Sequence, residues 1–132
     1  MRIKLHPADS LFSNLIRERD GWRCQRCGGQ HTPPTRGLHC SHYFGRGNKT
    51  TRFDPRNCVA LCFACHLLWG HGDERDDYTA FMIKKLGLKG FKDLRKTAMS
   101  TIKFGEYEFK EMAKLLRKNL MLVLKERNKG MS

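Results

Sequence analysis

The sequence has no long apolar run, and this absence limits the classes of protein to which it can belong. No stretch approaches the roughly 18 residues of a membrane span. Residues 1–10 lack the apolar centre of a secretory signal peptide. We therefore predict a cytoplasmic protein that has no membrane partner. The sequence also lacks internal repeats and low-complexity tracts, which excludes solenoids and repetitive scaffolds.

Acidic residues are scarce relative to basic ones. The 132 residues include 26 Lys and Arg but only 13 Asp and Glu, which leaves a formal charge of +13 and a pI near 9.9. Such an excess favours a polyanionic partner. Because the basic residues are spread along the chain rather than held in one tail, a merely solvated basic surface is the alternative. Charge alone does not identify the partner as DNA.

The length suits one domain, and a hydrophobic content of 39% is ordinary for a globular chain. We predict a single domain over residues 1–132. Its core is expected at residues 22–72, and a helical extension at residues 73–132.

Four of the six cysteines form two C-x2-C pairs, Cys24/Cys27 and Cys62/Cys65. In a reducing compartment such pairs favour metal ligands over disulfides, which remain the alternative. Four thiolates on two short turns match the tetrahedral preference of zinc, and a closed four-ligand site leaves no position for substrate. We therefore predict a structural zinc ion, and we expect the chemistry to lie between the two pairs.

Short elements are predicted around the cysteine pairs. A helix is expected to start at Ser10 as its cap and to stop at Asp20-Gly21. Two strands are predicted at residues 38–44 and 58–61, and a basic, glycine-containing loop joins them. The remaining cysteines, Cys40 and Cys58, are predicted to be buried small hydrophobes rather than redox or metal-binding groups.

The C-terminal half is predicted to be helical. A helix is expected over residues 63–69, another from Asp76 or Asp77 to a stop at Gly87, and a shorter piece near residues 91–99. The last helix has apolar residues on one face and many lysines opposite. The apolar positions are Phe109, Met112, Ala113, Leu116, Leu120, Val123 and Leu124. Core packing is the favoured role of that face, with a dimer interface as the alternative.

Four motifs occupy the centre of the chain: C-Q-R-C at 24–27, H-C-S-H-Y-F-G-R at 39–46, T-R-F-D-P-R-N at 51–57 and L-C-F-A-C-H at 61–66. They resemble the HNH endonuclease family, whose ββα-metal core carries His, Asn and His in that order. His42, Asn57 and His66 match these three positions. The resemblance covers roughly residues 22–72. The resemblance is specific because both cysteine pairs and the His, Asn and His residues occur together in the order that the family shows.

The stretch S-H-Y-F-G-R followed by R-F-D-P-R-N and C-x2-C is similar, more narrowly, to phage recombination nucleases of the NinG type. It is similar more loosely to the endonuclease VII resolvases. This likeness suggests a phage origin, in which case the cytoplasm would be that of the host.

The resemblance implies an α+β fold with a zinc-stabilised ββα-metal core and a metal-dependent hydrolysis of DNA. His42 would be the general base, because a histidine with a pKa of about 6.5 is available as neutral imidazole at working pH. A divalent ion, Mg²⁺ or Mn²⁺, would stabilise charge on the phosphate and the leaving oxygen, with His66 as its first ligand. Asn57 would fix the loop that aims His42, and an ordinary turn asparagine is the alternative.

The sequence departs from the family pattern at Ser41. Many family members place Asp, Glu or His immediately before the general base to bind the metal, and a serine hydroxyl is a poor ligand. His39 or His71 could substitute. For each of them, a surface or packing role is the alternative.

The loop between the predicted strands carries four cations, Arg46, Lys49, Arg52 and Arg56, against the single acid Asp54. Such a loop suits phosphate binding, since Arg can donate two parallel hydrogen bonds. Arg46 and Arg52 belong to the motifs above and are favoured. Plain solvent exposure accounts equally well for Lys49 and Arg56.

The prediction is an endonuclease that hydrolyses phosphodiester bonds of DNA. The chain is expected to be a monomer or a homodimer. A lone monomer would nick the duplex first, since a double-strand cut needs two active sites or two successive nicks. One alternative is a structure-selective nuclease for branched recombination DNA. The other is a non-catalytic zinc-containing DNA-binding protein, for which the charge and the cysteine pairs would suffice.

Overall fold

The computed structural model describes residues 5–35, 37–70, 72–100 and 105–130. Within these ranges the fold is α+β, with four helices and one two-stranded antiparallel sheet. The elements are α1 (Pro7–Arg19), β1 (Leu38–His42), a 3₁₀ turn (Pro55–Asn57), β2 (Cys58–Cys62), α2 (Phe63–Gly70), α3 (Arg75–Ala98) and α4 (Glu106–Gly130). Among the described helices, none is long and apolar enough to cross a membrane.

The two strands lie at the centre of the fold. They pair in a register that sets Leu38 opposite Cys62 and His42 opposite Cys58. Helices cover both faces of the sheet, so the middle of β2 is apolar and fully buried at Val59, Ala60 and Leu61. The strand positions predicted from the sequence are confirmed to within two residues.

Helix α1 begins three residues before the predicted cap at Ser10, so that prediction is wrong. His6 is the N-cap, and its side chain accepts a hydrogen bond from the backbone N–H of Ala8. The carboxylate of Asp9 in turn accepts from the N–H of His6 at 2.8 Å. This reciprocal cap, followed by Pro7 with its fixed φ, outweighs the weaker signal of Ser10.

The core consists of two apolar clusters, one on each side of the sheet. Helices α2 and α3 supply large side chains to the first cluster: Trp69, Tyr78, Met82, Phe91 and Leu94. Helices α1 and α4 form the second cluster on the other side: Ala8, Phe12, Ile16, Ala113 and Leu116, together with Cys58 of β2. Core packing is therefore confirmed for this part of the apolar face of α4.

Helix α3 is interrupted at Gly87, whose φ of 77° and ψ of 159° are not helical. A residue with a Cβ would be strained in this left-handed region. The sequence placed a helix stop at this glycine and a further helical piece after it, and the structure confirms both. The break lets Met82 and Phe91 pack into the same core cluster.

A buried ion pair joins α1 to the loop between the strands. Nε and Nη2 of Arg52 donate to the two carboxylate oxygens of Asp9 at 2.8 and 2.5 Å. Arg52 is 4% exposed and Asp9 is 7% exposed. Burial opposes the ionisation of Asp9, but the hydrogen bonds from Arg52 and from the N–H of His6 lower its pKa below the ordinary value. Contact with phosphate would require an accessible guanidinium, so we assign Arg52 a structural role.

We predict that Arg52→Ala lowers the free energy of unfolding by about 3–5 kcal/mol, because it leaves the Asp9 carboxylate buried and unpaired. Arg56→Ala is the matched control. Arg56 pairs with Asp54 at 2.7 Å, but its side chain is 41% exposed, so its loss should cost at most about 1 kcal/mol. Urea denaturation of both variants measures the difference. Equal losses of unfolding free energy would show that the buried ion pair contributes no more stability than the exposed one.

Candidate functional site

The four cysteines of the two C-x2-C pairs converge on one point, and we call them the cysteine quartet. The sulfur atoms of Cys24, Cys27, Cys62 and Cys65 all lie within 4.8 Å of one another. A tetrahedron with Zn–S bonds of about 2.3 Å has edges of about 3.8 Å. The Sγ atoms of Cys27 and Cys62 are 3.9 Å apart, which is close to that edge. The quartet therefore fits a structural zinc site.

The turn that carries Cys24 and Cys27 places backbone N–H donors close to the sulfur of Cys24. Gly28, with φ of 78°, closes the turn by donating its N–H to the carbonyl of Cys24 at 2.9 Å. Burial opposes ionisation of the Cys24 thiol, but backbone N–H groups of Cys27, Cys62 and Arg26 lower its pKa to about 6. This lowered pKa favours the Cys24 thiolate, which is the form that binds zinc.

Arg26 supports the quartet from outside. It donates to Sγ of Cys65 at 3.4 Å and to the carboxylate of Glu74 at 2.9 Å. Its guanidinium also lies 5.8 Å from the ring centroid of Trp69. A tetrathiolate zinc site carries a net negative charge, which this cation offsets. Arg26 was not among the residues predicted from the sequence. Its position within C-Q-R-C, next to Cys27, is the signal that could have identified it.

A cleft of about 810 Å³ lies between α1, β1, α2 and the start of α3. Three imidazoles and three guanidinium groups line it: His39, His42, His66, Arg17, Arg46 and Arg75. Among the described residues of this lining, none is Asp or Glu. The cleft is consequently electropositive and suits an anionic ligand.

His42 lies at the end of β1 with its orientation held by a backbone group. Its Nε2 is 2.9 Å from the carbonyl oxygen of Arg52. A carbonyl only accepts, so Nε2 carries the proton and Nδ1 holds the lone pair of the neutral ring. Burial lowers the pKa of His42, and the charge of Arg46 lowers it further, while the Arg52 carbonyl partly offsets both. The lowered pKa favours the neutral imidazole, which is the form that can accept a proton.

Asn57 is fully buried and joins the two ends of the loop that follows β1. Its carboxamide oxygen accepts from the N–H of Phe44 at 2.8 Å, and its nitrogen donates to the Phe44 carbonyl at 2.9 Å. The same nitrogen donates to the Thr51 carbonyl at 3.1 Å. Thr51 precedes Arg52, whose carbonyl holds His42. Asn57 does not line the cleft. It acts on the His42 imidazole indirectly, through the backbone of Thr51 and Arg52.

His39 of β1 and His66 of α2 form a pair of parallel rings in the cleft. Their centroids are 5.2 Å apart and their planes differ by 5°. Burial lowers the pKa of His39, and the charge of Arg17 adds to the shift. A neutral imidazole is the form that binds a metal ion. The third proposed histidine ligand, His71, lies outside the described residues.

Ser41 cannot bind a metal ion in the cleft. The side chain is fully buried, and its Oγ lies 2.9 Å from the hydroxyl oxygen of Tyr78. It therefore points into the core on the α3 side of the sheet. Ligands for a cation in the cleft must come from other residues.

Two cleft arginines, Arg17 and Arg75, were missed by the sequence analysis. Nη2 of Arg17 donates to Oδ1 of Asn14 at 2.6 Å, which fixes one edge of its guanidinium. Nη2 of Arg75 donates to the Tyr43 carbonyl at 2.6 Å, and its guanidinium carbon lies 4.0 Å from the Tyr43 ring centroid. They come from α1 and the start of α3, outside the motifs and on opposite sides of them in the sequence. Only the tertiary fold identifies them as neighbours.

The four loop cations differ in their surroundings. Arg46 is exposed and lines the cleft. Lys49 is exposed outside the cleft lining. Arg56 donates from Nε and Nη2 to the carboxylate of Asp54, and the fourth cation, Arg52, is buried. Of the four, Arg46 is the one placed to meet a ligand in the cleft.

We predict that Cys24→Ala does not fold cooperatively, because zinc binding supplies folding free energy in small domains. Zinc content and the thermal transition by circular dichroism measure this. Cys40→Ala is the matched control, since that thiol lies outside the quartet, and it should remain folded. A folded, zinc-free Cys24→Ala protein would refute a structural role for the quartet.

Comparison with family models, with curated proteins and with solved structures finds no match for this chain. Its function must be inferred from the residues that line the cleft.

Proposed function

We propose that the chain is a metal-dependent endonuclease that nicks DNA, with a ββα-metal core of the HNH kind formed by β1, β2 and α2. The observation that carries this proposal is the state of His42. Burial lowers its pKa, which favours the neutral ring, its Nε2 is held by the Arg52 carbonyl, and it lines a cleft that contains three arginines. A base with an available lone pair beside an anion site is what phosphodiester hydrolysis requires.

In this mechanism Nδ1 of His42 accepts a proton from a water molecule, which attacks the phosphorus of the scissile phosphate. The bond from phosphorus to the 3′ oxygen breaks and that oxygen takes a proton from solvent, which leaves a 5′ phosphate and a 3′ hydroxyl. Asn57 positions the base by holding Phe44 and Thr51, and with them the loop that carries the Arg52 carbonyl. These contacts keep the imidazole from turning away from the substrate.

His66 and His39 are the residues that would hold the catalytic ion, with water and phosphate oxygens completing its coordination. Such an ion would neutralise charge that develops on the phosphate and on the leaving oxygen. The donor set decides between the two candidate metals. Two imidazoles and no carboxylate among the described lining residues suit a transition metal better than Mg²⁺. We therefore favour Mn²⁺.

Three arginines would bind the phosphate backbone: Arg17, Arg46 and Arg75. Arg17 and Arg75 are supported by contacts within the fold, so little side-chain entropy would be lost on binding. The formal charge of +13 adds long-range attraction for a polyanion. Both features support DNA as the substrate.

We predict that wild-type protein converts supercoiled plasmid to the open circle with Mn²⁺, and more slowly with Mg²⁺, but not with a chelator. His42→Ala should reduce the rate by about 10²–10⁴-fold, since it removes the general base. His31→Ala is the matched control. Its imidazole contacts the Gly29 carbonyl at 3.2 Å outside the cleft, so nicking should persist.

The same assay separates the alternatives. Cleavage of a four-way junction without cleavage of its linear arms would indicate a structure-selective nuclease. Binding without cleavage of either substrate, under every metal condition, would contradict catalysis and favour a DNA-binding module.

We predict that Arg17→Gln and Arg75→Gln each weaken DNA binding. Each should reduce the slope of log K against log salt concentration by about 0.9, the value for one lost phosphate contact. Arg56→Gln is the control, because its guanidinium is held by Asp54 outside the cleft. Fluorescence anisotropy over a salt series measures the slopes. Equal effects at all three positions would show that the cleft is not the binding surface.

A further inference from the structure

A second group of metal-binding side chains lies outside the cysteine quartet. The ligand atoms of Cys40, His42 and Cys58 all lie within 4.8 Å of one another. The strand register explains this proximity. His42 lies directly opposite Cys58, and Cys40 is two residues before His42, so all three side chains share one face of the sheet. The sheet therefore builds a preformed cluster of two thiols and one imidazole.

The cluster is accessible from the cleft. Cys58 is fully buried, but Cys40 and His42 both line the cleft. An ion that enters the cleft can thus reach a thiol and a ring nitrogen before it meets the buried second thiol. Three protein ligands would leave the fourth tetrahedral position for a water molecule, as in other sites that exchange a ligand.

The donor atoms select the kind of ion. Two thiolates and one imidazole suit Zn²⁺ and similar thiophilic ions, whereas Mg²⁺ prefers oxygen ligands and Mn²⁺ binds such a site more weakly than Zn²⁺ does. The charged surroundings strengthen this choice. Arg19 and Lys85 donate to the backbone carbonyl of Cys58 at 2.6 and 3.2 Å, so a bare divalent cation meets positive charge. When Zn²⁺ displaces the two thiol protons, the two thiolates neutralise its charge. The occupied site then adds no net charge next to Arg19 and Lys85.

We propose that Cys40, His42 and Cys58 form a second, exchangeable site for Zn²⁺ and that its occupation inhibits the protein. Binding forms two Zn–S bonds and one Zn–N bond and releases the two thiol protons to solvent. A neutral imidazole has one lone pair, so His42 cannot bind the ion and accept a proton from water at once. The inhibitory part rests on the proposed nuclease function, while the binding part is independent of it.

Metal stoichiometry tests the binding part without reference to activity. Full-length wild-type protein equilibrated with excess Zn²⁺ and then desalted should retain two ions per chain, and Cys40→Ala/Cys58→Ala should retain one. Exchange with Co²⁺ gives a second readout. Six Co–thiolate bonds against four should make the thiolate charge-transfer absorption of wild type about one and a half times that of the variant. One ion in both proteins, or two in both, would overturn the proposal.

A second measurement covers the case in which the double variant does not fold. Wild-type protein loaded with ¹¹³Cd²⁺ should show two resonances, one from the quartet and one from a site with fewer sulfur ligands. Cys40→Ala alone, at the half-buried thiol, should remove the second resonance and leave the first. A single resonance in wild type would overturn the proposal without any variant.

Inhibition is tested by adding Zn²⁺ to the Mn²⁺-supported plasmid assay. Wild type should lose nicking when the second equivalent binds, while Cys58→Ala should keep its own zinc-free rate at that concentration. Equal inhibition of both would place the effect at His39 and His66 and would overturn the inhibitory role. If the second ion binds but no condition gives nicking, the proposed function fails and the metal site stands.

Discussion

The convergence of the cysteine quartet is the constraint on which the rest of the structure depends. A two-stranded sheet is marginal on its own, because it has two open edges and few cross-strand contacts. Here the segment that carries the first cysteine pair covers one of those edges. Asp20 accepts from the N–H of Ala60 at 2.8 Å, and Gln25 donates to the Ala60 carbonyl at 2.9 Å. A zinc ion that joins Cys24 and Cys27 to Cys62 and Cys65 would therefore also hold these hydrogen-bond partners against Ala60 of β2.

Arg52 couples the stability of the fold to the geometry of the site. Its guanidinium is neutralised by Asp9 of α1, and its carbonyl holds Nε2 of His42. The buried pair prevents the loop from moving relative to α1, so the carbonyl is held on a rigid support. A substitution at Arg52 would consequently affect both stability and activity. Loss of activity in such a variant would not identify a phosphate contact.

The sequence predicts features that depend on local spacing, whereas features that depend on tertiary contacts are visible only in the structure. The cysteine spacing and the glycine stop at Gly87 are local signals, and both elements lie where they were predicted. The roles of Arg52 and Arg17 depend on tertiary contacts. Both are basic residues in polar segments, and nothing local distinguishes the one that is buried against Asp9 from the one that lines the cleft.

The two remaining cysteines illustrate the same limit. The sequence favoured small buried hydrophobes at both positions, and Cys58 is indeed fully buried while Cys40 is half-buried. Burial and metal binding are not exclusive, however, because a structural ligand is normally shielded from water. What changes the interpretation is the register, which sets Cys58 opposite His42. A shift of one residue would move Cys58 to the other face of the sheet and separate the three donors.

Donor softness orders the three groups of candidate metal ligands that the described residues contain. The quartet offers four sulfurs, the cluster around His42 offers two sulfurs and one nitrogen, and His39 with His66 offers two nitrogens. A thiophilic ion would fill them in that order, and Mn²⁺, which binds thiolates more weakly than Zn²⁺ does, would enter the last, where phosphate and water supply the missing ligands. The structural ion and the proposed catalytic ion would thus be separated by ligand chemistry. His42 would be the residue at which an excess of the first kind of ion opposes the second.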